Sequence, residues 1–436
     1  MFKIFLKIIF LFILTTVVGQ NTTWNAPKDK IVIPFQSVFN LIVIPVEIND
    51  VKLNMIFDTG SEHSLVFSFA DTDSIQLHQT KKTKIFGLGK GDYVDALISV
   101  GNKINCNGLQ TNDFQLLLVL EEQINMSAKL RITVNGILSA SLFKNYVFSI
   151  NYTKKTLTLY KNPTETTAKK YKKYQRLPIS VSKNKPFVRL KSKLNDTFQN
   201  ISMLMDTGLS DAVWLFENDT LQQKGTFFTD HLGTGIGGEI LGKRALIKQL
   251  NIGTFEVKKP LVAFPEAEYF KNIDTIHPRN GSIGGDLLSR FSVVFDYSNH
   301  EILLKKNHKF SKPFAYNKTG IEVQHNGIQW VKEEIPYHVS VSVKGERPAY
   351  EAERFKYQFV LKPIFEIASI RKNSSAEKAG LKVGDVLTKI NKKATIDLSI
   401  EKIMKLFHDE DTEFITLEIL RNGQTLNFSF EVESLL

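Results

Sequence analysis

The sequence predicts a mainly β protein: two similar β-rich halves followed by a smaller β module that carries two helices. Three observations lead there. Residues 31 to 306 form a succession of short apolar alternations broken by Gly, Asn and Asp, such as Leu41-Ile42-Val43-Ile44-Pro45-Val46 and Thr156-Leu157-Thr158-Leu159, the spacing of half-buried strands. Within that stretch Asp-Thr-Gly occurs twice, at 58–60 and 206–208, in matching surroundings. After Lys306 the pattern changes to strand, short helix, tight turn, strand. A chain of 436 residues exceeds what one hydrophobic core usually serves, and 42% apolar with 23% charged residues is a globular composition.

In chain order, residues 1–20 place Lys3 and Lys7 ahead of an apolar run, Ile8 to Leu14, that fades into Thr15, Thr16 and small residues. That is the layout of a signal peptide, and the run is short of the roughly 20 apolar residues that span a bilayer. An uncleaved membrane anchor is the alternative; no later segment is long and apolar enough to span. The product is therefore expected outside the cytoplasm, periplasmic or secreted. The first β-rich half covers 31–162. Residues 163–176 contain the densest basic run, Lys169 to Arg176, which reads as a solvated linker. The net charge is +11, but no nucleic-acid-binding fold accompanies it, so no nucleic-acid partner is expected. The second half covers 177–306, a polar connecting segment 307–355, and the last module 356–436. That module holds Phe365 to Ile370, a short helix within Ser374 to Leu381, Val383 to Leu387, an amphipathic helix with Ile400, Ile403, Met404 and Phe407 on one face, and a hairpin turning at Asn422-Gly423.

The repeat is deeper than a tripeptide. Each Asp-Thr-Gly follows an apolar strand, Leu53 to Phe57 or Ile201 to Met205, and leads into another apolar run, Leu65-Val66-Phe67 or Val213 to Phe216. A glycine-rich turn follows in each half, Gly87-Leu88-Gly89-Lys90-Gly91 and Gly233-Thr234-Gly235-Ile236-Gly237-Gly238. Next come Asn135-Gly136-Ile137-Leu138 and Ile283-Gly284-Gly285-Asp286-Leu287-Leu288, with Gly136 and Gly284 at equal offsets from Asp58 and Asp206. Each half closes with a hairpin, Phe148 to Tyr160 and Val293 to Leu304.

Two aspartates so placed suggest hydrolysis of a peptide bond, in which a water must be deprotonated while the carbonyl and the leaving nitrogen are protonated. Two carboxyls held close together cannot both ionise; they share a proton, and one acts as base while the other acts as acid. Asp58 and Asp206 would supply the carboxyls. The hydroxyls of Thr59 and Thr207 can bond across to the opposite loop, and Gly60 and Gly208 let the backbones approach closely. A lone Asp-Thr-Gly would be an ordinary turn; the duplicated context argues otherwise.

On the Phe57-Asp58-Thr59-Gly60-Ser61 loop and the stretch Ile283-Gly284-Gly285-Asp286-Leu287-Leu288-Ser289-Arg290-Phe291, residues 31 to about 306 resemble aspartic peptidases of the pepsin and retropepsin type. The resemblance implies a bilobal pair of acid-protease β-barrels, Asp58 and Asp206 as the catalytic pair, and Thr59, Gly60, Ser61, Thr207 and Gly208 as the supporting loops. It also implies flaps over the substrate, for which Gly87, Gly89, Tyr93, Gly235 and Gly237 are the candidates. Both lobes lie in one chain, so the site does not need a homodimer. One departure stands out: the second loop continues with Leu209, where the family carries a small or hydroxyl residue. The orienting hydroxyl is absent there, and Ser210 is the nearest substitute.

The last module resembles a PDZ domain of the permuted kind attached to bacterial exported proteases, on Ser374 to Leu381, Val383-Gly384-Asp385-Val386-Leu387 and Ile390-Asn391. That resemblance implies a PDZ-like β-sandwich with two helices that binds an extended peptide by strand addition. The strand and loop that would receive it are expected near Tyr357, Gln358 and Phe359; a structural cap on the protease is the alternative. No cofactor or metal is expected, since the nine histidines are scattered. Gly233 to Gly238 also fits a dinucleotide fingerprint, but the all-β surroundings lack the required βαβ unit. The single cysteine, Cys106, forms no disulfide within the chain and shows no thiol-activating signature. The expected function is an exported aspartic endopeptidase with a PDZ module for substrate or partner recognition. The alternative is an inactive peptide-binding protein on the same fold.

Overall fold

The computed structural model describes residues 22–68, 74–89, 93–119, 127–130, 132–161, 169–270, 279–340, 351–409 and 411–436. The expected signal peptide, residues 163–168 of the linker, and Lys90 and Gly91 of the first glycine-rich turn lie outside them.

In the first half the alternating runs close on themselves. Leu41–Ile48 pairs with Val51–Asp58; Gly136–Ser139 lies parallel to Val51–Asp58 and antiparallel to Ser64–Val66. Ser64–Val66 in turn runs parallel to Leu109–Val119, which pairs with Val94–Cys106, and that strand returns to Leu41–Ile48. The ring is a closed barrel, so its strands leave few unpaired edges. The second half repeats the central crossing: Gly281–Ile283 lies parallel to Gln199–Met205 and antiparallel to Val213–Leu215.

The pairing corrects one detail of the repeat. Gly136 sits opposite Met55 and Gly281 opposite Met203, so the counterpart of Gly136 is Gly281, not Gly284. The second half reaches this strand in fewer residues, and the equal offset of Gly136 and Gly284 is a coincidence. The preceding asparagines are equivalent too. The Asn135 side-chain oxygen accepts from the Asn54 N–H at 2.8 Å, and the Asn280 oxygen accepts from the Ser202 N–H at 2.8 Å. Each asparagine thereby fastens the returning strand to the one that ends at an aspartate.

Beneath both halves runs a shared sheet of Lys30–Pro34, Thr156–Tyr160, Val147–Asn151, Phe291–Asp296, Glu301–Lys306 and Gln175–Ser182. The halves meet where Phe148 faces Phe295 across the antiparallel pair, their rings stacked with centroids 4.9 Å apart. Phe57, the residue before Asp58, packs edge-on against Phe148. One buried cluster includes Phe57, Phe143, Phe148, Met205, Leu288 and Phe295, so the two halves share a core. In the basic run, the lysines face solvent as expected, but Tyr171 is buried against Tyr160. Cys106 is fully buried, and burial pushes its thiol up to about 12, as befits an inert side chain.

The C-terminal module has its own core, including Ile321, Phe365, Ile367, Ile403, Phe407 and Ile419. Its sheet begins earlier than the sequence boundary at 356. Ile321–Ser340 is a long strand paired with Glu351–Ile370, and its first residues, Ile321 and Val323, are buried in that core. Only three residues of that strand alternate before Gln324-His325-Asn326-Gly327 interrupts the pattern, which is why the segment reads as a polar connection.

Candidate active site

Asp58 ends its strand, and Asp206 follows directly after Gln199–Met205, so the two Asp-Thr-Gly turns emerge facing each other at the seam between halves. The threonines lock them together. Thr207 Oγ1 accepts from the Thr59 N–H at 3.0 Å and donates to the Phe57 carbonyl at 2.8 Å. Thr59 Oγ1 accepts from the Thr207 N–H at 3.1 Å and donates to the Met205 carbonyl at 2.6 Å. Both side chains are buried, and a buried donor or acceptor left unpaired costs about 1–3 kcal/mol. The grip therefore specifies the relative position of the loops.

Within it the two buried carboxyls lie close enough that each acts on the other's ionisation. The Gly60 N–H donates to Asp58 Oδ1 at 2.6 Å, and the Gly208 N–H donates to Asp206 Oδ1 at 3.0 Å. A Cβ at Gly60 would lie 2.6 Å from the Asp206 carboxyl carbon, and one at Gly208 would collide with the Asp58 carboxyl; only glycine fits either position. The hydroxyl after the motif matters less than the sequence suggests. Ser61 Oγ donates to the His63 carbonyl rather than to Asp58. In the second loop the backbone N–H of Leu209 bonds Asp206. Ser210 takes no part in this; its carbonyl accepts from the Asp286 N–H.

Burial first, and then the charge of Asp206, push the Asp58 carboxyl up to about 8. Burial raises Asp206 as well, but the Arg279 guanidinium and the Gly208 and Leu209 amides pull it back. Carboxyls so placed share one proton more readily than both ionise, and the Arg279 charge favours the carboxylate on Asp206. Arg279 is the residue that sequence reading missed. It lines the same cavity, its charge acts on both aspartates, its guanidinium stands over the Phe216 ring at 5.3 Å, and its buried Nε has no hydrogen-bond partner among the described residues. Its only sequence signal is its place just before Asn280, in a half where the motif sought lay further on.

The aspartates form the floor of a cavity of about 1710 Å³. The glycine-rich turns roof it tip to tip. The Gly237 N–H donates to the Leu88 carbonyl at 2.9 Å, and Gly87 and Gly89 pack against Ile236 and Gly237 so closely that a side chain at either would clash. Gly235 in turn abuts the Leu88 carbonyl. Tyr93 is not brought in: it lies half-exposed beneath Lys84 Nζ, 3.5 Å from its ring centroid, and the aromatic contributed from that side is Phe86. The Gly233 to Gly238 run sits on the hairpin Phe228–Gly235 and Gly238–Leu246, so it opens no helix and offers no dinucleotide cradle.

Tyr357, Gln358 and Phe359 lie on the outer arm of the C-terminal hairpin, opposite Glu334, Glu333 and Lys332. They do not border the helix Ile400–Phe407. The strand order puts Ile321–Ser340 at the sheet edge, and that strand adjoins the helix. It is preceded by Asn317-Lys318-Thr319-Gly320, where Gly320 has φ +78° and the Lys318 N–H donates to the Phe407 carbonyl. The edge strand that adjoins the helix is therefore Ile321–Ser340, one strand before the one that carries Tyr357, Gln358 and Phe359.

Family models for an aspartyl protease and for a PDZ domain match residues 44–142 and 366–421. The first match includes Asp58 but ends before Asp206. Among solved structures, an aspartic proteinase from Irpex lacteus is similar at 12% identity over 65% of this chain and 99% of its own, with a TM-score of 0.41. No curated protein matches the chain. The chain thus joins an aspartyl-protease-like β unit to a PDZ domain.

Proposed function

We propose that this protein is an exported endopeptidase in which Asp58 and Asp206 activate one water between them, with the PDZ domain recognising substrate or partner. The observation that carries the reading is the reciprocal threonine grip, which fixes the loops so that two buried carboxyls face each other; carboxyls so placed share one proton more readily than both ionise. In the first step Asp206 takes a proton from the water as its oxygen attacks the scissile carbonyl carbon, and Asp58 gives its proton to the carbonyl oxygen, leaving a neutral gem-diol. In the second, Asp206 returns its proton to the departing nitrogen while Asp58 recovers one from the gem-diol, so the C–N bond breaks and the dyad is restored. The touching hairpins must part to admit a chain and can then exclude water over it. Export rests on the apolar pattern of residues 1–20.

The rival reading is a binding protein that has lost its chemistry, as Leu209 after the second motif allows; the backbone N–H of Leu209, which helps hold the Asp206 carboxyl down, weighs against it. A peptide library incubated across acidic to alkaline pH tests the proposal. A bell-shaped dependence of kcat/KM on pH, suppressed by a hydroxyl-bearing transition-state mimic of the gem-diol, is expected. Saturable peptide binding with no cleavage at any pH would refute it.

A further inference from the structure

The roof hairpin of the second half is anchored at its base by the PDZ domain through alternating charges. Arg371 Nε donates to Asp230 Oδ1 at 3.0 Å, and a second Arg371 nitrogen bonds the Asn317 carbonyl. The other oxygen of Asp230 accepts from Arg244 Nε at 2.8 Å; Arg244 Nη1 reaches Asp211 Oδ2 at 3.0 Å, and the same oxygen accepts from Trp214 Nε1 at 2.7 Å. Beside this run His231 Nδ1 meets Glu322 Oε2 at 3.1 Å, and Ser369 Oγ donates to Glu322 at 2.9 Å. Arg371, Asp230, Arg244 and Asp211 are all largely buried.

These residues sit at consequential places. Asp230 and Arg244 are on the two strands of the roof hairpin, whose tip holds Leu88 of the opposite roof. Asp211 belongs to the loop that continues from Asp206, and its neighbour Ser210 accepts from the Asp286 N–H. One line of ion pairs thus joins the PDZ domain, the roof and the loop of one carboxylate. Such pairs hold geometry because removing one partner strands a buried charge.

We propose that Arg371 is a positioning residue for the paired aspartates, acting through Asp230 and Arg244 to fix the roof hairpin and the Asp211 loop. The PDZ domain is then a working part of the site, not a tethered accessory. The consequence for cleavage rests on the proposed function; the consequence for the hairpin does not.

The test measures amide hydrogen exchange and peptide cleavage in the full-length protein for Arg371→Ala, Arg371→Lys and Asp230→Asn. Exchange in Phe228–Gly235 and Gly238–Leu246 should accelerate at least tenfold in Arg371→Ala and Asp230→Asn, with partial rescue by lysine. Exchange in Phe414–Arg421 and Gln424–Glu431 should stay unchanged, showing that the PDZ domain remains folded. Cleavage by the same two variants should fall at least tenfold in kcat/KM. Unaltered hairpin exchange with a folded PDZ domain overturns the inference. Should Arg371→Ala unfold the domain, Asp230→Asn decides by the same criterion. Loosened hairpins in a protein that cleaves nothing would support the anchoring while sinking the proposed function. Normal cleavage by a wild type whose variants show neither change would sink the anchoring alone.

Discussion

Replacing Asp58 by asparagine should stabilise the protein, and increasingly so as pH rises. In the unfolded chain an aspartate ionises near 3.9; in the folded protein burial and Asp206 push Asp58 up to about 8. Between those values the folded state keeps a proton that the unfolded state releases, so stability falls as pH increases through the window. Each tenfold difference in proton affinity between the two states is worth about 1.4 kcal/mol, which puts the ceiling at about 6 kcal/mol. The two carboxyls share the effect, so a few kcal/mol is the expected size. Asparagine cannot ionise, yet its side-chain oxygen can still accept from the Gly60 N–H. The melting temperatures of wild type and Asp58→Asn should therefore coincide near pH 4 and separate by several degrees at pH 8, the variant higher. Thermal melts at half-unit pH steps provide the assay. A difference that does not change with pH, or a variant less stable at pH 8, would refute the reasoning.

Other outcomes follow from the same geometry. Thr207→Ala strands the Thr59 N–H and the Phe57 carbonyl in a buried site, which should cost about 2–4 kcal/mol in chemical denaturation; Thr207→Ser, which keeps both bonds, should recover most of it. Leu209→Ser should alter kcat/KM by less than tenfold, because the backbone amide at 209 already holds Asp206. Arg279→Gln removes the cation that lowers Asp206, so the acid limb of the pH profile should move to higher pH, and Arg279→Lys should return it part of the way.

The two halves were legible because duplication leaves a trace that chance seldom makes: an apolar strand, Asp-Thr-Gly, a second apolar run and a glycine turn, in the same order twice. The roofs were legible for a related reason, since tips that touch backbone to backbone admit only glycine at Gly235 and its partners. Spacing was a poorer guide than chemistry. Gly284 matched Gly136 by offset, but Asn280-Gly281 matches Asn135-Gly136 by hydrogen bonding. Arg279 escaped notice because its role comes from where its strand delivers it, which no local pattern encodes. The first strand of the PDZ domain escaped because its core-facing Ile321 and Val323 are followed at once by the polar Gln324-His325-Asn326-Gly327. Leu209 looked like a defect because side chains are read from sequence more readily than the backbone amides that do the same work.

Whether Asp58 and Asp206 act together on one water is decided by cleavage of a peptide library by wild type, Asp58→Asn and Asp206→Asn. Cleavage by the wild type and a loss of roughly a thousandfold or more in each variant are expected, with both variants still folded and binding peptide. Cleavage that survives either substitution would contradict joint action, because a single remaining aspartate cannot be both the base and the acid.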